Sequence, residues 1–212
     1  MDRSSQIDTF TRLSQVSRET ITSLKKYENI LIEANKKLNL IGKSTISNIW
    51  QRHFLDSFQV VDFIEENDKS LIDIGSGAGF PGIVVAIVTK DRKIPFKIKL
   101  LEKSNKKAKF LKELVKNLGL KVEVINKNLH DFENKISEDI LVSRAFKPLE
   151  KFLPLIHSQT HNWKKIIIFM GKTGQRELDQ ASKSWDIKYK QRVSITNSDS
   201  SIIEIYNLKK KI

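Results

Sequence analysis

The residues best suited by type and spacing to hold a ligand lie in Asp73-Ile74-Gly75-Ser76-Gly77-Ala78-Gly79-Phe80-Pro81-Gly82. An apolar run at 71–74, broken by one acid, ends in glycines, and a second apolar run follows at 83–88. That order reads as strand, tight turn and helix, with Pro81 at a first-turn position that tolerates it. Glycine there permits positive φ and lets a ligand lie against peptide groups with no Cβ between them. The helix start adds unpaired N–H groups and a partial positive charge. The chemistry this favours is binding of a nucleotide-like molecule. Two registers are open. Gly77-x-Gly79-x-x-Gly82 matches the dinucleotide fingerprint, with Glu102 twenty residues further on as a ribose-binding acid. Asp73-x-Gly75-x-Gly77-x-Gly79 instead puts an acid in the strand and a glycine directly after it. A turn that uses glycine for geometry alone is the third reading.

Other reactive side chains are scattered. Arg144 stands at the end of the apolar run 139–143, and the carboxyl ends of strands are where open α/β sheets bind ligands. A plain surface charge is the alternative. His53 lies in a segment that otherwise reads as buried, so a pocket residue and a satisfied core histidine both fit. Asp56 follows Arg52 by one helical turn and either faces a pocket or pairs with that arginine. Phe80 contacts a ligand or staples the turn. The lysines at 103, 106, 107, 109, 112 and 116 form a solvated helix face or line a path for RNA. His157 and His161 have no ligand partners at useful spacing, so no metal site is expected.

Positioning these groups requires alternating elements. Residues 8–38 are expected to be helical, with Ile21, Leu24, Tyr27, Leu31, Ala34 and Leu38 on one stripe and Ser17 as an N-cap that divides off a shorter helix. A further helix is expected over 46–64. Strands are expected at 70–74, 97–101, 122–125, 139–143 and 165–170. Between them, Ser104 caps a helix through Leu118, closed by Gly119, and Pro148 opens another. Residues 173–183 are weakly helical. Two final strands, 185–195 and 202–208, flank the turn-rich 196–200 and leave no room for a crossover helix. This predicts an α/β, doubly wound, mostly parallel sheet with an antiparallel C-terminal hairpin at its edge. The expected division is a helical cap over 1–68 and a sheet domain over 69–212.

The chain has 212 residues, with 38 Lys and Arg against 25 Asp and Glu, a net charge of +13. That surplus makes a polyanion such as nucleic acid the first partner to expect. Without cysteine there is no disulfide, thiol nucleophile or Cys-ligated zinc. No apolar run approaches the roughly 20 residues that a membrane helix needs. A cytoplasmic protein, monomeric and without membrane association, is the expectation.

Several stretches together carry a family resemblance: Asn39-Leu40, Arg52-His53-Phe54-Leu55-Asp56-Ser57, the glycine stretch, and Ser143-Arg144-Ala145-Phe146. In order and spacing they resemble the RsmG (glucose-inhibited division protein B) family, over nearly the whole chain. The resemblance selects the second glycine register, that of class I S-adenosylmethionine-dependent methyltransferases with their Rossmann-like sheet. It implies methyl transfer to N7 of a guanine in 16S ribosomal RNA, in a decoding-region loop of the small ribosomal subunit. It places Gly75, Gly77 and Phe80 at the cofactor turn, Glu102 on the ribose hydroxyls, and Leu129 and His130 at the adenine end. Arg144, the catalytic candidate and also a cofactor contact, would face the methyl-transfer pocket, where no general base is expected, with His53, Asp56 and Lys172 as pocket candidates. His130 stands where glutamate is expected, and Met170-Gly171-Lys172 replaces a Lys-Gly pair. Those departures keep open a non-enzymatic RNA-binding or assembly protein, and the first register keeps open a nicotinamide-dependent oxidoreductase.

Overall fold

The computed structural model describes residues 2–132, 135–144 and 147–211. Seven strands form one sheet: β1 (Ser70–Ile74), β2 (Lys97–Leu101), β3 (Val122–Ile125), β4 (Ile140–Arg144), β5 (Lys165–Met170), β6 (Trp185–Ser194) and β7 (Asn197–Lys210). Their spatial order is β3-β2-β1-β4-β5-β7-β6. The first five are parallel, and β7 runs antiparallel between β5 and β6. The strand order reverses between β2-β1 and β4, which opens a crevice at the carboxyl ends of β1 and β4. Helices cover both faces, so β1, β4 and β5 are buried on both sides and read as largely apolar runs, interrupted in β1 by Asp73.

On one face lie α1 (Arg3–Ser14), α2 (Arg18–Leu38), α4 (Gly82–Asp91) and α5 (Asn105–Asn117). Helix α4 is apolar all round, and it is buried from Gly82 to Thr89 between the sheet and α2. Leu24, Tyr27 and Leu31 of α2 share one core with Ile83, Val84 and Ile87 of α4 and with Leu111 of α5. Each such buried aliphatic stabilises the fold by about 1.5–3 kcal/mol. On the other face α6 (Leu149–Gln159) and α7 (Gly174–Ala181) pack with Trp185 in a second core. Ser17 caps α2 through Thr20 N–H (3.1 Å), and Ser104 caps α5. The expected caps are therefore in place.

Three expectations need correction. The helix expected over 46–64 is an irregular stretch: 3-10 turns at Lys43–Asn48, a π turn at Trp50–Leu55, a short α3 (Asp56–Phe58), and 3-10 turns at Gln59–Phe63. Residues 54–61 are buried on every side, polar Asp56, Ser57 and Gln59 included, so tertiary contacts rather than one apolar face set the winding. The last strand is longer than 202–208 and starts at Asn197, because polar residues pair too: Ser201 with both Met170 and Val193, and Asn197 with Ser194 across an irregularity in the register. Ladder hydrogen bonds need no apolar side chain. Strand β4 begins and ends one residue later than expected, which makes Arg144 its last residue.

Buried ions tie the N-terminal third to the sheet. Lys165, only 4% exposed, reaches Asp68 (3.2 Å) and Glu65 (2.8 Å) and donates to Phe63 carbonyl oxygen (3.0 Å). Among the described residues no helix is long and apolar enough to cross a membrane.

Candidate functional site

The glycine turn is built by its own backbone. Gly75 and Ser76 N–H groups both donate to Leu101 carbonyl oxygen (2.9 and 3.1 Å), and Gly79 N–H donates to Ser76 carbonyl oxygen (2.7 Å). Gly75, Gly77 and Gly79 all have positive φ, 78°, 57° and 105°. Space is a second constraint at Gly79 and Gly82. A Cβ on Gly79 would stand 2.7 Å from Ile83 and 2.9 Å from Tyr27 Oη, and one on Gly82 would stand 2.9 Å from Asp73 Oδ2. Asp73 is fully buried, and its Oδ2 accepts from Gly82 N–H (2.9 Å), while its Oδ1 has no partner. Burial pushes its carboxyl up to about 7, against the pull of Gly82 N–H. So the acid in the strand braces the turn from beneath.

Glu102, next after β2, accepts from Gly77 N–H (2.9 Å) and Ser104 N–H (2.7 Å). It is 6% exposed. A cavity of about 480 Å³ opens above, lined by Gly75, Gly77, Phe80, Glu102, Leu129 and Arg144 among others. Lys103, Lys107 and Lys127 edge it. His130 does not line it: its neighbour Leu129 turns inward, and His130 is exposed.

Phe80 is held between two rings. Tyr27 of α2 stacks on it at 5.2 Å and 28°, and His53 at 5.0 Å and 22°. Tyr27 Oη donates to Ala78 carbonyl oxygen at 2.7 Å, so α2 clamps the turn. His53 Nε2 meets Thr45 Oγ1 at 2.8 Å. Burial, with Arg144 and Arg52 nearby, lowers its pKa to about 3, so the ring is neutral at ordinary pH.

Arg144 is the hinge of the arrangement. Its guanidinium pairs with Asp56 Oδ2 (3.1 Å) and donates to Arg52 carbonyl oxygen (2.6 Å) and Ser57 Oγ (3.4 Å). Asp56 thus pairs with the distant arginine and not with Arg52 one turn earlier. Burial lowers the Arg144 pKa while Asp56 raises it; an arginine nonetheless stays protonated. Asp56 Oδ1 accepts from Thr196 Oγ1 (2.8 Å), Ser194 Oγ (3.0 Å) and Gln59 Nε2 (3.2 Å). Beyond the pair lies a second cavity of about 450 Å³, lined by Asp56, Ser143, Phe152, Phe169, Met170 and Thr196 among others. Arg144 and Lys147 line both cavities.

The structure thus brings Gly75, Gly77, Phe80, Glu102, Leu129, Arg144 and His53 to one cavity and Asp56 to the adjoining one. Lys172 is not with them: its side chain is 79% exposed and pairs with Asp199 (3.0 Å). Ala145 and Phe146 of the Ser143-Arg144-Ala145-Phe146 stretch lie outside the described residues. Tyr27, Gln59, Ser194 and Thr196 were not legible as site residues. Tyr27 sits on an ordinary apolar stripe, and the other three meet Asp56 only through folding. Among the described residues no group of three His, Cys, Asp or Glu is placed to hold a metal ion.

Residues 20–205 match the family described as rRNA small subunit methyltransferase G (GidB). The ribosomal RNA small subunit methyltransferase G of Pelagibacter ubique is 38% identical over 198 residues, 92% of each chain. Its counterpart in Rickettsia prowazekii is 37% identical over 203 residues, spanning 93% of this chain and all of that one. In fold, the chain is similar to a mutant of MtNAS solved in complex with S-adenosylmethionine: TM-score 0.57, 13% identity, covering 94% of this chain and 83% of that one. By sequence over nearly its full length, and with the α/β sheet of class I methyltransferases beneath it, this chain belongs to the rRNA small subunit methyltransferase G family.

Proposed function

We propose that this protein transfers the methyl group of S-adenosylmethionine to N7 of a guanine in 16S ribosomal RNA, with residues 69–212 as the transfer domain and 1–68 as its cap. The observation that carries the reading is the pair of cavities meeting at Arg144, one at the glycine turn and one beside β4, β5 and the β6–β7 hairpin. The residues at the first cavity fit the cofactor. Glu102 offers a buried carboxylate whose lone pairs are only partly taken by Gly77 and Ser104, suited to two ribose hydroxyls. The turn supplies a close-approach surface at Gly75 and Gly77, where no Cβ stands between ligand and peptide, and Leu129 an apolar wall. When bound, S-adenosylmethionine supplies an electrophilic methyl group on a sulfonium centre.

N7 of neutral guanine carries a lone pair and no proton, so its attack needs no general base. The residues agree with that demand. His53 is neutral but tied to Thr45, and Asp56 is committed to Arg144 and three other donors. Rate enhancement then rests on alignment, worth up to roughly 7–11 kcal/mol. Arg144 is suited to donate to guanine O6 and so fix N7 toward the first cavity. Its positive charge would oppose the cationic product, but Asp56 at 3.1 Å offsets it. Phe152, Phe169 and Met170 give an extruded base apolar surface to lie against. The test is to incubate the protein with labelled S-adenosylmethionine and small-subunit particles from cells lacking it. Label in 16S RNA is expected. Saturable cofactor binding with no label in that RNA would contradict the assignment.

A further inference from the structure

Among the described residues the two most exposed large hydrophobic side chains are Val193 (62%) and Ile195 (59%), and they stand together at the tip of the β6–β7 hairpin. The tip is not loose. Ile195 N–H donates to Gln59 Oε1 (3.0 Å), and the flanking hydroxyls of Ser194 and Thr196 donate to Asp56. The carboxylate that receives them is the one paired with Arg144. Two aliphatic side chains are thus presented to solvent on a backbone fastened to the site, on either side of Ser194, which with Thr196 lines the second cavity. Exposed Arg52 and Lys147 line the same cavity, so the surround is basic.

Resting on the proposed rRNA substrate, we infer that Val193 and Ile195 form an apolar wedge that packs against the RNA base next to the guanine entering the cavity. Extruding a base bares the face of its neighbour, and proteins that unstack nucleic acid cover such faces with aliphatic or aromatic side chains. The basic surround meets the phosphates on either side of that base. A rigid tip suits this role, since little side-chain and loop freedom is left to lose on binding. The partner class is single-stranded or unpaired RNA, recognised by stacking surface and backbone charge.

The test uses the full chain and small-subunit particles. The Val193→Ser/Ile195→Ser variant should raise KM for particles about tenfold, with S-adenosylmethionine affinity unchanged and Ile195→Leu close to the original. A photoreactive residue at 195 should crosslink to 16S RNA, and one at exposed Leu13 should not. Methyl transfer by the unaltered protein with KM of the double variant within twofold, or crosslinks from 195 only to ribosomal proteins, would overturn the wedge alone. No transfer by the unaltered protein, with crosslinking from 195 to 16S RNA intact, would overturn the methyl-transfer reading and leave the RNA contact standing.

Discussion

Replacing Asp56 by asparagine should destabilise the fold by about 3 kcal/mol and weaken methyl transfer with it. The Asp56–Arg144 pair is largely enclosed, with side-chain exposures of 12% and 18%. Removing one partner of a buried pair typically costs about 3–5 kcal/mol, because the other charge is left uncompensated. Two features hold the figure to the lower end. Arg144 keeps the Arg52 carbonyl oxygen and Ser57 hydroxyl as acceptors, and the asparagine oxygen still accepts from Ser194, Thr196 and Gln59. With a urea m-value of about 3 kcal/mol/M, the unfolding midpoint should fall by about 1 M at constant m. A double-mutant cycle with Arg144→Met isolates the pair. Once both charges are gone much of the loss should return, giving an interaction energy of about 1–3 kcal/mol. A midpoint drop under about 0.3 M, or additive single changes, would refute the reasoning and reduce the pair to an ordinary surface contact.

Tyr27→Phe keeps the ring stack on Phe80 but leaves Ala78 carbonyl oxygen without its buried donor; a loss of about 1–3 kcal/mol in stability and weaker S-adenosylmethionine binding by calorimetry are expected. Asp73, with its native pKa raised to about 7, binds a proton between pH 4 and 7 that the unfolded chain has released, so its contribution to stability falls as pH rises through that window. Asp73→Asn should therefore gain stability over the unaltered chain as pH goes from 5 to 8, read by urea titration; a pH-independent difference would contradict this. Lys172→Ala removes only an exposed pair with Asp199 and should leave cofactor affinity, and stability within about 0.5 kcal/mol, unchanged.

How much of this was legible in the sequence depends on whether the cause is local. The central strands β4 and β5 declared themselves because burial on both faces makes them largely apolar runs, and the turn after β1 because only glycine tolerates its φ and its neighbours. Ser17 and Ser104 were readable as caps for the same local reason. The stretch from Lys43 to Phe63 was not, since its winding answers to contacts on all sides. Asp56 was legible as a candidate but not its partner: Arg144 lies 88 positions later in the chain and is brought to it by the place of β4 in the sheet. Residues 196–200 read as a turn because they are polar, although β7 already begins at Asn197 and Thr196, Asn197 and Ser200 line the second cavity. Lys172 was drawn toward the pocket by resemblance, and one residue of register past β5 sends it to solvent.

The central claim is that the two cavities joined at Arg144 deliver a methyl group to one N7 position. Its most direct test is to react the protein with S-adenosylmethionine and undermethylated small-subunit particles and then cleave the RNA chemically at 7-methylguanine. A single new cleavage in 16S RNA, abolished by Arg144→Ala while cofactor binding persists, is the expected result. Cleavage at many guanines, a methyl group found elsewhere on the base, or an unimpaired Arg144→Ala variant would contradict the account.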